Sequence, residues 1–325
     1  MIKTILVIGY ARQTQTAHQI NTLQASGAQV INLDPYGQAG IYAPLSWQGQ
    51  QIHWQGQDIS PQQLAGILVC AQAPEIPTQD AFNSNPQQQL DWPNWFQHFG
   101  RQRDRSDTLL GLLLAYEQAG VPMFNPPGKS MLSRRKPYQI SILQAAGCQM
   151  PATLVTNDPD AARTFIRTHG ECIIKPAAGG ALTLSANQLL ENDGLAQLSV
   201  APAIVQQRIV GEDLRVMVVD GEVVSCVAIG VPRGTIDFRG DRDYQQGKIH
   251  YQERKLPVAI EQQCSRAAAA LGLRFTGIDL KCTDLGEYYL LECNSSPIYL
   301  DVELKLQHPI TERLCRSLLY NGQVN

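Results

Sequence analysis

Two apolar runs near the C-terminus carry three side chains whose oxygen atoms suit a hard cation. The runs are FTGIDLKC (Phe275 to Cys282) and EYYLLECN (Glu287 to Asn294), joined by Thr283-Asp284-Leu285-Gly286, and the side chains are Asp279, Glu292 and Asn294. Alternation along a strand puts Glu292 and Asn294 on one face and Leu291 and Cys293 on the other. A two-residue turn at Leu285-Gly286 sets a register in which Asp279 directly faces Glu292. Facing residues have Cβ atoms about 4.5–5.5 Å apart, and two carboxylates at that spacing repel. Burying both on strands this apolar calls for a cation between them. Mg²⁺ fits the set, because it takes one or two carboxylates and otherwise prefers water and phosphate oxygens. A solvated edge hairpin with two unrelated acids is the simpler alternative for the hairpin by itself.

Basic residues upstream could meet an anion. Lys175 ends the apolar run ECIIKP and precedes Ala177-Ala178-Gly179-Gly180, small residues that let backbone N–H groups approach a phosphate. In IVQQRIVGEDLRV (Ile204 to Val216) a strand meets a turn at Gly211, followed by Asp213 and Arg215. An acid past such a connection can take ribose hydroxyls, and free backbone groups within it can pair with an adenine edge; a plain hairpin with solvated charges is the alternative. IDFRGDRDY (Ile236 to Tyr244) carries Arg239 and Arg242 on a Gly-containing loop, and the arginine fork matches carboxylate and phosphate oxygens. Arg101, Arg103 and Arg105 are expected just before a helix start, with Asp104 and Asp107 neutralising them. The two commonest nucleotide motifs are absent. Gly128-Lys129-Ser130 has a Walker-A tail, but Met123 stands where its first glycine belongs, and Gly9-Tyr10-Ala11-Arg12 is not GxGxxG.

The chain that must position these groups has 325 residues, room for two or three domains. A net charge of −3 argues against a general nucleic-acid or membrane-surface binder. Eight cysteines without a CxxC read as reduced core residues, and six histidines without metal spacing make zinc a poor fit. No 18-residue apolar stretch occurs, so a cytoplasmic protein is expected. Lys3 to Gly9, the run ending at Asp34, and Gly66 to Cys70 read as parallel strands of an open α/β sheet. From Pro35 to Pro93 irregular structure is expected, with one hairpin around Trp47 to Trp54. Asp107 to Gln118, the run from Lys136 to Gly147, Val258 to Leu271 and Ile310 to Tyr320 read as helices. Asp220-Gly221 reads as a hairpin turn.

In order, the pieces are Lys136 before a helix, Lys175 before a small-residue loop, QQRIVGEDLRV, Arg239, and GIDL…LLECNSSP. That series resembles the ATP-grasp superfamily, most closely its RimK-type carboxylate–amine (glutamate) ligases and related peptide-maturing ligases. The resemblance runs from about Asn125 to the C-terminus. It implies α/β and α+β architecture: an N-terminal open α/β domain over 1–125, a small lid subdomain over 126–205 and a metal-bearing subdomain over 206–325. It implies that Lys136 and Lys175 contact ATP phosphates beneath the loop containing Ala178, Gly179 and Gly180. Gln206, Gln207 and Ile209 match the adenine-pairing connection, and Asp213 the ribose acid. Asp279, Glu292 and Asn294 match the ligands of Mg²⁺, for which Mn²⁺ is a substitute. Arg239 and Lys175 are the implied catalytic cations, and Arg215, Arg242 and Ser296 the candidate substrate-binding residues. Relatives commonly carry a glutamate at the position of Gln207 and a longer glycine–serine run at AAGGALTL. The implied activity is ADP-forming ligation of a carboxylate to an amine through an acyl phosphate. Its substrate would be an amino acid or peptide; the alternatives are a ribosomally made precursor peptide, or a nucleotide-binding regulator without turnover. A homo-oligomer is compatible with all three.

Overall fold

The computed structural model describes residues 2–34, 44–70, 92–192, 194–232 and 234–320. It divides into two compact units, Met1–Pro127 with Leu314–Asn325, and Gly128–Arg313. No described helix is long and apolar enough to cross a membrane.

The first unit opens with β1 (Thr4–Ile8), the helix Thr14–Ala25 and β2 (Gln29–Leu33). Residues 5–8 are fully buried, which suits a central strand covered on both faces. Next come β3 (Leu45–Gln48), β4 (Gln51–Trp54) and β5 (Gln57–Ile59), an antiparallel meander of their own. β6 (Leu64–Val69) and β7 (Met123–Phe124) complete a parallel sheet in the order β2-β1-β6-β7. The meander has one strand more than the expected hairpin; 35–43 and 71–91, the rest of the stretch read as irregular, lie outside the described residues.

One helix differs from its expected bounds. It spans Trp92–Gln118, so Arg101, Arg103 and Arg105 lie within it and not before its start. Apolar spacing marks the helix only from Asp107 on, yet the arginine and glutamine residues before it are good helix formers. The buried stripe of Leu109, Leu112, Leu113 and Tyr116 anchors the C-terminal half.

The second unit holds two antiparallel sheets. β8 (Thr153–Thr156), β9 (Cys172–Pro176), β10 (Leu184–Ser185) and β11 (Ala203–Gln207) pair in the order β10-β9-β11-β8. Between β8 and β9 the helix Pro159–His169 begins with proline at its first turn, and the Asp158 carboxylate accepts the Asp160 N–H at 2.8 Å. β12 (Glu212–Val219), β13 (Glu222–Gly230), β14 (His250–Glu253), β15 (Phe275–Cys282) and β16 (Tyr288–Asn294) pair in the order β14-β13-β12-β15-β16. Asp220 and Gly221 both take positive φ, 47° and 82°, the expected tight turn between β12 and β13.

Period-two alternation decides what this second sheet offers on each face. Leu214, Val216, Val218, Ile278, Leu290 and Cys293 share a core with Leu143 of the helix Lys136–Ala145 and with Cys264, Ala267, Ala268 and Leu271 of the helix Val258–Leu271. Asp213, Arg215, Asp279 and Lys281 therefore point away from that core. All eight cysteines are free, and burial pushes the thiols of Cys226 and Cys264 up to about 12, where they are unreactive.

Two local details set the geometry that follows. β11 and β12 belong to different sheets, so Arg208 to Gly211 is a crossing connection, and the plain-hairpin alternative is excluded. The β15–β16 loop has three residues, Asp284 to Gly286, closed by Thr283 N–H on Glu287 O at 2.9 Å with Gly286 at φ 76°. The expected two-residue turn is thus corrected. An odd loop alone would shift the pairing by one, but Leu280 pairs with Leu290 while Asp279 pairs with Glu292. Leu291 is the extra residue, and this bulge restores the register at the acids.

A β-carbon on Gly211 would lie 2.2 Å from Cys282 O and 3.1 Å from Thr283 Cα, both backbone atoms. Gly211→Ala is expected to destabilise the fold by about 1–3 kcal/mol, seen as a lower urea midpoint. Gly128→Ala, whose β-carbon would meet nothing within 4 Å, is the control, and equal midpoints for the two variants would refute the steric argument.

Candidate active site

The acidic hairpin forms the floor of a cavity of about 330 Å³ in the second unit. Asp279 faces Glu292 across β15 and β16, and Gly277 faces Asn294. Asn294 Nδ2 donates to Asp279 Oδ2 and to Glu292 Oε1, each at 3.2 Å. Lys136 Nζ donates to Glu292 Oε2. Arg215 faces Asp279 from β12 and places Nε 2.8 Å from Oδ1. That contact is electrostatic only: no donor is aligned on Oδ1, which is buried. Gly277 leaves room for the guanidinium, since a β-carbon there would lie 3.2 Å from Arg215 Nη1 and 2.6 Å from Pro297 Cβ.

The two acids therefore differ in charge preference. Burial, with the Glu292 charge adding to it, raises Asp279 to about 6 against the pull of Arg215. Burial also works to raise Glu292, but the Lys136 and Lys175 ammonium groups and the Lys136 and Asn294 hydrogen bonds outweigh it and hold Glu292 at about 2. Among the described residues no three His, Cys, Asp or Glu side chains assemble with metal-binding spacing. What assembles is two carboxylates and an amide. Facing carboxylates, with one buried oxygen lacking a hydrogen-bond donor, fit a hard, oxygen-seeking cation that keeps other positions for water or phosphate.

Cations and small residues form one side. Lys175 Nζ donates to Gln206 Oε1 at 3.0 Å, and Gln206 Nε2 donates to Thr153 Oγ1 at 2.8 Å. Burial lowers the Lys175 ammonium, so a charged partner entering the cavity would be strongly favoured. Gly179 and Gly180 take φ of 82° and 94°, a region side chains avoid, and a β-carbon on Gly179 would stand 3.5 Å from Lys136 Cε. Arg239 is clamped by Asp237, Nε on Oδ1 at 2.9 Å and Nη2 on Oδ2 at 2.6 Å, and also donates to Ala181 O at 3.2 Å. Asp237 Oδ2 accepts the Thr183 N–H at 2.9 Å as well. Burial opposes the Asp237 charge, but these donors and the guanidinium hold its carboxyl at about 2.

Apolar side chains also line the cavity, among them Ile173, Ile209, Ile229 and Leu291. Leu291 was expected on the face away from Glu292. The bulge turns it into the cavity beside Glu292 and Asn294, while Leu290 and Cys293 take the core face. Gln207 and Arg208 N–H groups donate to Ala152 O and Glu171 O at 2.9 and 2.8 Å, which anchors the crossing connection.

Of the residues singled out from sequence, Lys136, Lys175, Gly179, Gln206, Gln207, Ile209, Asp213, Arg215, Arg239, Asp279, Glu292, Asn294 and Ser296 all line this one cavity. Ala178, Gly180 and Arg242 do not; Arg242 begins the short helix Arg242–Gln245. Asp237, Lys281 and Leu291 were not anticipated. Asp237 and Lys281 carried a signal, each being two residues from a chosen side chain; Leu291 carried none.

A family model described as the ATP-grasp domain matches residues 135–297, half of the 325-residue chain. The chain belongs to the ATP-grasp family. Glutathione synthetase of Xanthomonas campestris pv. campestris is 29% identical over 159 residues, 44% of this chain and 47% of that protein. A probable alpha-L-glutamate ligase of Stenotrophomonas maltophilia is 28% identical over 199 residues, 57% of this chain and 65% of that protein. The chain thus spans about half to two thirds of the length of these curated relatives. Among solved structures, the ATP-grasp ligase PsnB, complexed with a phosphomimetic variant of minimal precursor, Mg and ADP, is 29% identical. That match covers 99% of this chain and 100% of PsnB, with a TM-score of 0.82. The expected architecture holds: an ATP-grasp fold combined with an open α/β unit.

Removing the buried ammonium tests the polar side of this ATP-grasp cavity. Lys175→Met is expected to weaken ATP binding by about 1.5–3 kcal/mol, roughly ten- to hundredfold in the calorimetric Kd. Equal affinity in variant and parent would mean that Lys175 serves only its bond to Gln206.

Proposed function

We propose that this protein is an ATP-dependent, ADP-forming carboxylate–amine ligase. The observation that carries the reading is the gathering of facing Asp279 and Glu292, bridged by Asn294, with Lys136, Lys175 and Arg239 in one cavity. Residues 126–205 would form the small subdomain over the phosphates and 206–313 the metal-bearing one; Leu314–Asn325, expected with the latter, groups with the first unit. The Gln206 to Ile209 connection would pair with adenine beside these apolar side chains, and Asp213 would take ribose hydroxyls. Lys136 and Lys175 would meet phosphate oxygens beneath the 177–180 loop. Asp279, Glu292 and Asn294 would hold Mg²⁺, or Mn²⁺ in its place, whose part is to offset charge on the transferring phosphate.

Chemistry then needs positioning and charge stabilisation from the chain itself. Arg239, held in one orientation by Asp237, would hold oxygens at the reacting centre. Arg215 and Ser296 would receive the substrate carboxylate. A carboxylate oxygen attacks the γ-phosphorus, the bond to the β-phosphate oxygen breaks, and ADP leaves. An amine then attacks the acyl carbon, phosphate departs with the electron pair of the C–O bond, and the amine loses a proton to give the amide.

A peptide as the carboxylate donor is favoured by one observation. Similarity to PsnB, a ligase complexed with precursor peptide PsnA2 and AMPPNP in one of its structures, extends over 98% of this chain. D-alanyl-alanine synthetase A of Vibrio cholerae also covers the whole chain, but at 16% identity and a TM-score of 0.65, against 29% and 0.77 for PsnB. A ribosomally made precursor is therefore the preferred substrate class. A regulator without turnover stays as the other outcome of the tests below.

Two experiments check the chemistry. ADP should form only when an acceptable carboxylate is present, and added hydroxylamine should capture the acyl phosphate as a hydroxamate. A stable phosphate ester as product would instead make the protein a kinase, and no ADP with any carboxylate would leave a regulator. Arg239→Ala should lower kcat at least tenfold with little change in ATP affinity, the pattern of lost transition-state stabilisation. A matching loss of ATP affinity would move Arg239 to the nucleotide.

A further inference from the structure

The segment that follows the acidic hairpin is anchored at every second residue. Ser295 Oγ donates to Ser130 O at 2.6 Å. Pro297 packs on Gly277, where a β-carbon would lie 2.6 Å from Pro297 Cβ. Tyr299 is 1% exposed, its ring edge-on to Phe275 and its hydroxyl 3.0 Å from Thr311 Oγ1. The residues between these anchors turn outward: Ser296 is exposed, Ile298 is 75% exposed, and both line the cavity. The same point above Gly277 is 3.2 Å from Arg215 Nη1, so Pro297 and the Arg215 guanidinium lie side by side. Ile298, the next residue, therefore belongs to the Arg215 end of the cavity. Ile236 and Phe238, which flank Asp237, add apolar lining.

We propose that Ile298 determines which peptides are accepted, by seating an apolar side chain two residues away from the acid that is activated. This rests on the ligase reading above, with a peptide as the carboxylate donor. A single exposed isoleucine on an open surface means little. Here the side chain lines a cavity on backbone anchored on both sides, so contact with a ligand orders nothing further in the protein. Ser296 and Ile298 are two residues apart, at most about 7 Å between Cα atoms. An extended peptide repeats each of its faces at the same two-residue spacing. A peptide whose acid meets Arg215 and Ser296 thus lays its next same-face side chain over Ile298. A polar or charged side chain there would give up water without a replacement, since the isoleucine side chain offers no hydrogen-bonding group.

The fold does not need this side chain. Ser295, Pro297 and Tyr299 hold the segment, and Ile298 remains mostly in water, so substituting it should cost little stability. Covering Ile298 with an incoming leucine removes apolar area from water on both partners, enough for about a tenfold preference.

Capped peptides Ac-X-Ala-Glu-Ala-X-NH2, with X as Leu, Ser or Lys, test the proposal on the full chain with Mg-ATP, read as ADP formed. Placing X on both sides of the acid covers either direction of the bound peptide. The parent should show a kcat/KM about tenfold higher for the Leu peptide than for the Ser peptide. Ile298→Ser should bring that ratio close to one, Ile298→Val should keep most of it, and Ile298→Asp should turn the preference toward Lys. If Ile298→Ser folds poorly, Ile298→Thr, which keeps the branched shape, should show the same collapse. Equal use of the Leu and Ser peptides by the parent overturns the proposal, as does the parental ratio persisting in Ile298→Ser; both outcomes leave the ligase reading standing. No ADP with any of the peptides, in a protein that binds ATP by calorimetry, overturns the peptide-donor reading together with the proposal. A protein that does not bind ATP overturns the nucleotide reading as well.

Discussion

The arrangement of the second unit turns on two partly buried carboxylates forced to face each other. Asp279 and Glu292 meet because the β15–β16 pairing and the Leu291 bulge put them opposite, while the other face of the sheet is fully engaged with the helices. Like charges so close are unfavourable unless countered. The chain counters them itself: Lys136 reaches Glu292, Arg215 reaches Asp279, and the Asn294 amide donates to both. Arg215 gets there because Gly277 has no side chain. The neighbours of the acids are thus dictated by charge balance as much as by packing.

This balance changes what the acids say about a metal. Two buried carboxylates do not require a divalent cation for folding when two side-chain cations already answer them. The better indicator is the asymmetry between them. Glu292 is well satisfied and strongly acidic, whereas Asp279 keeps a buried oxygen with no aligned donor and is raised toward neutrality. Under the reading proposed above, a hard cation would supply what that oxygen lacks.

The remaining cavity repeats the same device with other partners. Three cations of the cavity are each oriented by a neighbour: Lys175 by Gln206, Arg239 by Asp237, Lys281 by Asp213. Gln206 is itself fixed by Thr153, so the amide presents its oxygen, and not its nitrogen, to the lysine. For Lys281, which is buried, a partner offsets the cost of a desolvated charge. Arg239 is exposed and is held by the match of its fork to the Asp237 carboxylate.

Much of this was legible in the amino acids. The helices Val258–Leu271 and Ile310–Tyr320, the Asp220-Gly221 turn and the parallel strands of the first unit follow from local periodicity and turn chemistry. The motif order, from Lys136 to the GIDL…LLECNSSP hairpin, was enough to suggest the family, because residue types in sequence are what such a series consists of. Arg101 to Arg105 were misplaced because the apolar spacing that marks this helix is clear only over Asp107 to Gln118, whereas the helix itself begins at Trp92. The inward turn of Leu291 depends on a bulge that compensates a three-residue loop, and neither event alone marks the strand. The pairing of Lys281 with Asp213 and of Arg215 with Asp279 joins residues more than sixty positions apart. Local sequence determines which elements form and which face of each is polar. Which charge answers which is decided only when strands distant in the chain lie side by side in one register, because Coulombic and hydrogen-bonding partners are set by distance in space.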